Sequence, residues 1–405
     1  MSEVSGRTVI GTMLYASGLT SLGVLSGCGG GGSSSSSSSG AQAIAPPESL
    51  LDDIEFLLAP DQNGVMLPLG FSSRIVARSG EAPASSSDYI WHDAPDGAAI
   101  FETDTGGWIY TSNSERDDGD GGVGALVFNA AGEVIDAYSI LSGTDRNCAG
   151  GATPWGTWLS CEESSRGSVW ECDPNGINPA LRRSALGAFT HEAVAVNPET
   201  NILYMTEDRS SGLFYRFIPD GNTATGTPDL TSGRLQAAIV DFSTNAVTWG
   251  DVLDPQGDRQ STRHQVEGAT EFDGGEGIVV YDNVVSFTTK GDNRIWAYQT
   301  DNDIMSVIYD RDTSQNPILS GVDNMTLSKE EELIISEDGG DSQIVAITKT
   351  GRIQPIVQLV GHESSELTGP AFSPDGKRLY FSSQRGTGGD SDNGLTFEVS
   401  GPFHT

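Results

Sequence analysis

Positive charge is scarce in this chain of 405 residues, in which 22 lysines and arginines stand against 56 aspartates and glutamates, for a formal net charge of −34 at pH 7. This balance argues against nucleic acid and anionic membrane surfaces as partners, since both are bound through basic faces. Histidine is also rare, with five in the chain, so a histidine-rich zinc site is not available. Walker loops, Rossmann fingerprints and Ser-His-Asp arrangements are missing as well, which argues against the common nucleotide-binding and serine-hydrolase classes.

Long apolar runs are confined to the N-terminus, where TVIGTMLYASGLTSLGVL leads into the tetrapeptide LSGC, which ends at Cys28. This tetrapeptide resembles a bacterial lipobox, in which the cysteine becomes the lipidated first residue of the mature protein. The following stretch, GGGGSSSSSSSG, is typical of a flexible tether. We therefore predict a lipoprotein signal segment at 1–28, a tether and linker at 29–65, and a folded domain at 66–405. The protein would then be exported and lipid-anchored at the cell envelope, facing the periplasm or the outside; the alternative is that Cys28 is a buried structural thiol.

Long amphipathic helices are scarce too, and the body of the chain alternates β-rich runs with turns rich in Gly, Asp, Asn and Ser. Six stretches share one plan: an apolar strand, a polar cluster, a loop and a second alternating strand, as in NILYMTEDRSSGLFYRFIPDG and EELIISEDGGDSQIVAITKTG. Three or four strands repeated six times over about 330 residues predict an all-β fold, a six-bladed β-propeller. We expect FSSRIVARSG at 71–80 to supply a strand that closes the ring against the C-terminal LTFEVSG.

Polar residues recur where the first strand of each of these repeats ends, namely Glu115, Glu162 with Glu163, Glu207 with Asp208, Lys290, Glu337 with Asp338, and Gln384 with Arg385. A second series precedes these strands and consists of Cys148, Glu192, Glu267, Asp323 and Glu366. Propeller symmetry predicts that both series converge at the mouth of a central channel. Mutually repelling carboxylates need a cation among them, so the two series predict an axial metal site. The alternative is a set of solvated acidic loop ends.

The residue types in these series suggest which ions and which substrate the site takes. Carboxylates favour hard cations, notably calcium, whereas the single thiol of Cys148 favours a transition metal such as iron or zinc. His191 adjoins Glu192 and either supports the site or ligates directly. Asn324 and Asp338, beside Asp323 and Glu337, are further candidates to support the ligands. Lys290 and Arg385 suggest an anionic, phosphate-like ligand, unless they merely neutralise nearby acids.

The two remaining cysteines, Cys161 and Cys172, flank the GSVW hairpin. A disulfide is chemically allowed in an exported protein, so we predict a Cys161–Cys172 bridge, with metal binding as the alternative. Cys148 is then the unpaired thiol, which is consistent with metal ligation.

Four motifs, NCAGGATPWGTWLSCEE, FTHEAVAVNPETNILYMTED, VDNMTLSKEEELIISEDGG and ELTGPAFSPDGKRLYFSSQRG, together resemble the PhoX family of bacterial alkaline phosphatases. The resemblance runs from about residue 67 to the C-terminus and implies export, a six-bladed propeller and phosphate-monoester hydrolysis at an iron–calcium cluster on its axis. It implies that Cys148 is the thiolate ligand of iron and that Arg385 contacts phosphate. The carboxylate ligands that it implies are Glu162, Glu192, Glu207, Glu267, Asp323, Glu337 and Glu366.

The chain departs from the family pattern in two places. A single arginine, Arg7, precedes the lipobox where the family typically has a twin-arginine signal, and NSE at 113–115 stands where NHE is expected. The chain also looks shorter than the typical enzyme, so we place it in a shorter, lipoprotein-like branch of the family.

These observations predict a monomeric, metal-dependent phosphate-monoester hydrolase with iron and calcium as cofactors and a small phosphate ester as substrate. Nucleic acid is not an expected partner, and the membrane is contacted through the lipid anchor alone. One alternative is a calcium-dependent propeller lactonase or phytase-like hydrolase, which needs no thiolate. The other is a metal-stabilised propeller that binds ligands at the cell surface without catalysis.

Overall fold

The computed structural model describes residues 48–405, and almost all of its regular structure is β-strand. Helical structure in this range is limited to four three-residue 3-10 turns, Leu51–Asp53, Ser184–Leu186, Thr262–His264 and Ser391–Asn393. No helix in the described range is both long enough and apolar enough to cross a membrane.

The strands form antiparallel sheets in which most consecutive strands are neighbours. The first sheet contains β3 (Pro95–Glu102), β4 (Trp108–Ser114), β5 (Gly121–Phe128) and β6 (Val134–Thr144). The second contains β7 (Asn147–Ala152), β8 (Trp158–Glu162), β9 (Val169–Cys172) and β10 (Leu181–Arg182). The third is ten-stranded and contains β11 (His191–Val196), β12 (Leu203–Glu207), β13 (Gly212–Pro219), β14 (Gly233–Asp241), β15 (Ala246–Asp251), β16 (Glu271–Phe272), β17 (Gly275–Tyr281), β18 (Val284–Thr289), β19 (Arg294–Gln299) and β20 (Ile304–Asp310).

Two further sheets recruit strands from the beginning of the described range. One contains β21 (Val322–Leu327), β22 (Leu333–Glu337), β23 (Gln343–Ile347) and β24 (Ile353–Leu359), with β1 (Val65–Met66) at its edge. The other contains β25 (Leu367–Phe372), β26 (Arg378–Ser383) and β27 (Leu395–Ser400), with β2 (Ser72–Arg78) at its edge.

The first strands of the repeats pack against one another in a closed cycle, in the order β3, β7, β11, β17, β21, β25 and back to β3. Hydrophobic clusters fill the spaces between neighbouring sheets, and one of them joins Ile334 and Ile344 to Phe381 and Phe397 of the next sheet. Sheets arranged face to face around a common centre are typical of propellers. The predicted all-β, propeller-like fold is confirmed.

The ring closes through an N-terminal strand, as the sequence predicted. Strand β2 pairs antiparallel with β27, with Ile75 opposite Phe397 and Ser73 opposite Val399. Phe397 and Val399 are fully buried, and burying each such side chain stabilises the fold by about 1.5–3 kcal/mol. The two ends of the domain are therefore held together by backbone pairing and by the core.

The folded body begins before the predicted boundary at residue 66. Leu51 and Ile54 are buried in the same cluster as Phe397, and Val65 pairs with Leu359. The predicted linker at 29–65 therefore includes residues, from 48 onward, that pack onto the domain, because their apolar side chains complete its core.

A β-bulge interrupts the start of each inner strand at nearly the same position. In β3, β7, β11, β17 and β21 the register shifts immediately after the first paired residue, and in β25 it shifts after Thr368. A bulge places two residues opposite one and redirects their side chains. Gly97, in the bulge of β3, has no room for a side chain, because a Cβ there would lie 2.4 Å from the Cα of Ala149 in the next bulge. The inner strands thus approach one another closely at this end of the axis.

Candidate metal centre

The bulges carry the acidic residues and the thiol of the inner strands. Strands β3, β7, β11, β17 and β21 each place one candidate ligand in the bulge, and a sixth candidate directly precedes β25; the six are Asp96, Cys148, Glu192, Glu276, Asp323 and Glu366. The five carboxylates are between 1% and 6% exposed. Together with Glu115 and Asp338, they form three groups whose ligand atoms lie within 4.8 Å of one another: Asp96–Glu115–Cys148, Glu192–Glu276–Asp323 and Asp323–Asp338–Glu366.

Cys148 lies between two carboxylates of neighbouring strands. Its Sγ is 3.4 Å from Oε1 of Glu192 and 3.7 Å from Oδ2 of Asp96. The remaining oxygens of those carboxylates, Oε2 of Glu192 and Oδ1 of Asp96, are buried without a hydrogen-bond partner in the described part of the chain. Buried polar atoms are almost always paired, so oxygens without partners beside a thiol fit a site for a cation.

Electrostatics at the axis oppose the ionised state of every buried carboxylate. Burial raises the pKa of Asp96, Glu192 and Asp323 well above the usual value, and the neighbouring carboxylates raise each pKa further. The same causes raise the pKa of Glu276 and Glu366. Burial, followed by the charges of Asp96 and Glu192, also raises the pKa of the Cys148 thiol. Without a bound metal ion, burial and mutual repulsion both favour the protonated forms of these groups.

Three cationic side chains reach the same centre, and together they contact all three candidate ligand groups. Lys290 Nζ lies 2.9 Å from Oε1 of Glu276 and 3.2 Å from Oδ2 of Asp338. Burial alone would lower the pKa of Lys290, but Glu276 and Asp323 outweigh burial and raise it far above the usual value. The other two cations are guanidinium groups: Arg385 Nη2 donates to Glu366 Oε1 at 2.6 Å, and Arg146 Nη2 donates to Glu115 Oε1 at 2.6 Å.

The sequence model of the family "Alkaline phosphatase PhoX" matches this chain over residues 124–176, 164–317 and 299–386. The chain belongs to this family. It is therefore an enzyme of the alkaline-phosphatase type. None of the curated proteins compared with the chain matches it.

Two solved structures resemble the PhoX-family fold described here to different degrees. PhoX of Pseudomonas fluorescens, solved in complex with vanadate, a transition state analogue, is 18% identical, with a TM-score of 0.67 over 86% of this chain and 98% of that one. A gluconolactonase of Xanthomonas campestris is 11% identical, with a TM-score of 0.49 over 89% of this chain and 96% of that one. At these identities the first likeness bears on the fold, and the second is too weak to bear on function.

Within this PhoX-family domain, five of the predicted ligands lie in the three groups: Glu115, Cys148, Glu192, Asp323 and Glu366. Asp338, predicted to support the ligands, is itself in a group, while Asn324 donates from Nδ2 to Asp323 Oδ1 at 2.8 Å and accepts from Gly369 N at 2.8 Å. Asn324, the next residue of β21, thereby orients Asp323 and connects it to Gly369 of β25.

Three other predicted ligands, Glu162, Glu207 and Glu337, lie away from the groups. Each accepts a hydrogen bond from the backbone N–H six residues later, at Ser168 (3.0 Å), Leu213 (3.1 Å) and Gln343 (3.1 Å) respectively. Adjacent residues of a strand point to opposite sides, so the next residue along the chain is the one that faces the axis. The prediction was therefore wrong by one residue at these three positions. Asp338, the residue after Glu337, lies in a candidate ligand group.

The prediction that Glu267 is a ligand was also wrong, because its side chain is exposed on the loop before β16. The carboxylate in the corresponding bulge is Glu276, which the sequence analysis missed together with Asp96. Both stand immediately before a glycine at the start of an inner strand, in Asp96-Gly97 and Glu276-Gly277, just as Cys148 and Glu192 stand before alanine. An acid followed by a small residue at this point is the signal that could have identified them.

His191 supports the fold beside the site and is not part of any ligand group. Its ring stacks on Phe189 at 3.6 Å between centroids, and Nε2 lies 3.2 Å from Gly187 O. Burial lowers the pKa of His191 to about 3, so the ring is neutral.

The predicted disulfide between Cys161 and Cys172 does not form, since both thiols are free and buried. Cys161 pairs across the sheet with Val169, whereas Cys172 pairs with Trp158 three positions away. At about 3.3 Å per residue the two positions are separated by roughly 10 Å along the strands, which is too far for a bridge. Cys28 lies outside the described residues.

Separate substitutions of the neighbouring acids Glu207 and Asp208 test which of the two supports the fold and which faces the axis. Glu207→Gln is expected to lower the free energy of unfolding by about 2–4 kcal/mol, because Glu207 is fully buried and paired with Arg263. Asp208→Asn is expected to leave stability within about 0.5 kcal/mol, because Asp208 is partly exposed. Urea unfolding of both variants measures the difference, and equal destabilisation would contradict the assignment.

Proposed function

We propose that this protein hydrolyses phosphate monoesters at a polynuclear metal centre on the propeller axis, with iron and calcium as the metals. The observation that carries the proposal is the meeting of one thiol, seven carboxylates and three cationic side chains at one end of the inner strands. Carboxylates with a thiol provide ligands for metal ions, and the cations provide contacts for an anion. Family membership supplies the reaction class.

The donor sets fit two kinds of metal. The groups Glu192–Glu276–Asp323 and Asp323–Asp338–Glu366 contain carboxylate oxygens alone, as calcium prefers. The group Asp96–Glu115–Cys148 adds a thiol, which suits iron better than calcium. When bound, such ions supply Lewis acidity toward phosphoryl oxygens and water.

The chain's own cations orient the substrate in this proposal. Arg385 is 32% exposed at the side chain and uses Nη2 for Glu366, while its Nε and Nη1 donate to no atom of the described residues. Those donors are available to the non-bridging oxygens of a phosphoryl group, which guanidinium binds in a fork. Lys290, also 32% exposed, adds a second positive charge between two ligand groups.

We also propose that the propeller has six blades. The ten-stranded sheet is joined at its middle by a single pair, Ala246 with Ile304, between two units that each follow the repeated strand order. Treating these units as two blades leaves six, in agreement with the cycle of six inner strands. The count agrees with a single propeller in the predicted domain, and the signal segment at 1–28 and the tether that follows it remain part of the proposed domain plan.

Export and lipid anchoring complete the proposal. Family membership supports export, and the lipobox-like sequence before Cys28 supports an anchor at the cell envelope. We propose a monomer that acts on small phosphate esters and contacts the membrane through the anchor alone. Incorporation of labelled palmitate that disappears in Cys28→Ala tests the anchor.

The first experiment combines metal analysis with an assay of the purified chain. We expect iron and calcium to co-purify with it and phosphate monoesters to be hydrolysed with an alkaline optimum. Calcium without iron, together with no release of phosphate from any ester, would contradict the proposal and favour the binding-module or lactonase alternatives.

Arg385→Ala is expected to reduce kcat/KM for a phosphate monoester by at least 100-fold, because a charge-assisted fork to the phosphoryl oxygens is lost. Metal content per chain is expected to stay unchanged, since no metal-ligating atom is removed. Steady-state kinetics and elemental analysis on the same preparation measure both quantities. Arg311→Ala, at an exposed position away from the axis, is the matched control. Unchanged turnover in Arg385→Ala would remove Arg385 from the substrate site.

A further inference from the structure

Arg146 is the cation at the axis that neither the repeat pattern nor the family resemblance identified. It lies in the connection between β6 and β7, two residues before Cys148. Its Nη2 donates to Oε1 of Glu115 at 2.6 Å and also to Oε2 of Glu163. Glu115 belongs to the group with Asp96 and Cys148, so Arg146 lies directly beside the thiol-containing group.

The hydrogen bonds of Arg146 leave most of its donors unused. Both carboxylates contact the same nitrogen, Nη2, while Nη1 and Nε donate to no atom within residues 48–405, and Nε is buried. A guanidinium group has five N–H donors arranged in a fork, and an arginine that serves only to neutralise carboxylates commonly pairs with them in bidentate fashion. The pairing seen here leaves one face of the fork without an acceptor.

The backbone at Arg146 is in a conformation that non-glycine residues seldom adopt. Arg146 has a φ of 47°, in the left-handed region that glycine and asparagine adopt more readily. The conformation is held on both sides, because Arg146 N donates to Arg116 O at 2.8 Å and Glu163 N donates to Arg146 O at 2.8 Å. A strained, well-held residue with unused donors at the axis is characteristic of functional positions.

Glu115 connects Arg146 with the residue that precedes Arg385. Oε1 of Glu115 accepts from Arg146, and Oε2 accepts from Nε2 of Gln384 at 2.8 Å, in the residue directly before Arg385. We propose that Arg146 is a second phosphate-binding residue, which holds phosphoryl oxygens across Glu115 from Arg385. The inference rests on the proposed phosphatase function and extends it by one substrate contact.

Substitution of Arg146 by Asn and by Lys tests this role. Asn suits the left-handed backbone, so Arg146→Asn removes the fork without adding strain, while Arg146→Lys retains the charge and loses the fork. In the full-length, metal-containing protein we expect both variants to raise KM for a phosphate monoester and the inhibition constant of inorganic phosphate at least tenfold. We expect metal content per chain to be unchanged.

Arg166→Gln is the matched control, because Arg166 is exposed and pairs with Asp258 on a surface loop. Values of KM and of the phosphate inhibition constant within twofold of the original in both Arg146 variants would overturn the proposal. A lower melting temperature with those constants unchanged would assign Arg146 to stability alone. If the original protein hydrolyses no ester, calorimetric titration with inorganic phosphate still decides the point, since Arg146→Asn should weaken binding tenfold whatever the reaction. No difference in phosphate affinity would then reject the role of Arg146 independently of the proposed function.

Discussion

Removal of metal ions by chelation is expected to lower the melting temperature by at least about 10 °C at pH 8.5, and by clearly less at pH 7. The physical cause is the set of buried carboxylates at the axis, Asp96, Glu192, Glu276, Asp323 and Glu366, whose pKa values burial and mutual repulsion raise. A difference of one in the pKa of such a group between the unfolded and folded states corresponds to about 1.4 kcal/mol. In a domain of this size, each kcal/mol lost lowers the melting temperature by about 2–4 °C.

The direction of the pH effect follows from the protons bound in each state. In the unfolded chain these carboxylates ionise near pH 4, whereas in the folded, metal-free protein they keep their protons to higher pH. The folded state therefore binds more protons, and stability falls as pH rises from the unfolded pKa toward the folded pKa. Burial lowers the pKa of His92 and His191 to about 3, which acts in the opposite direction between about pH 3 and 6.5. Above about pH 6.5 the histidines no longer contribute, so the comparison of pH 7 with pH 8.5 reports on the acidic groups, namely the carboxylates and the buried thiols.

The variant Asp323→Asn is expected to change the melting temperature in opposite directions with and without metal. Asp323 belongs to two of the three ligand groups and is 3% exposed. Without metal, the variant is expected to melt higher than the original protein at pH 8.5, because an asparagine amide, unlike a buried carboxyl group with a raised pKa, loses no stability as the pH rises. With calcium added, it is expected to melt lower, because one ligand is gone. Thermal melts across a calcium titration measure both, with the exposed Asp301→Asn as control; the same order of melting temperatures with and without calcium would contradict the assignment.

Cys148→Ser is expected to abolish iron binding and to reduce phosphatase turnover by at least 100-fold. The thiol is the one sulfur donor in the three ligand groups, and a serine hydroxyl is a much poorer ligand for iron at neutral pH. Calcium content is expected to fall by less than half, because the two all-carboxylate groups do not include Cys148. Elemental analysis and steady-state kinetics on the same preparation measure these quantities.

Cys172→Ser provides the matched control, since Cys172 is a buried thiol that lies in a hydrophobic cluster with Trp158 and Val123. It is expected to lower stability slightly and to leave iron content unchanged. If Cys148→Ser retained both iron and turnover, the calcium-dependent lactonase-like alternative, which has no need of a thiolate, would be favoured instead.

The repeated β architecture could be predicted from the sequence because its signals are local. Alternating apolar strands and turn residues recur in each repeat, and the closing pair of β2 with β27 was visible as two apolar segments at the ends of the domain. The direction of the acidic side chains was harder to predict. At 162–163, 207–208 and 337–338 two acids are adjacent, so the pattern alone does not decide which one faces the axis. Strand pairing decides it, because the first of each pair caps its own loop.

The sequence by itself therefore determined the class of fold, the family, and the end of the repeats at which charged groups collect. The tertiary structure alone decided which residues meet there. Bulges at the start of the inner strands direct Asp96 and Glu276 to the axis. The left-handed backbone of Arg146 places its side chain between Glu115 and Glu163. The physical reason is that the side-chain period of a strand is two, so a single bulged residue reverses every direction that the linear pattern implies.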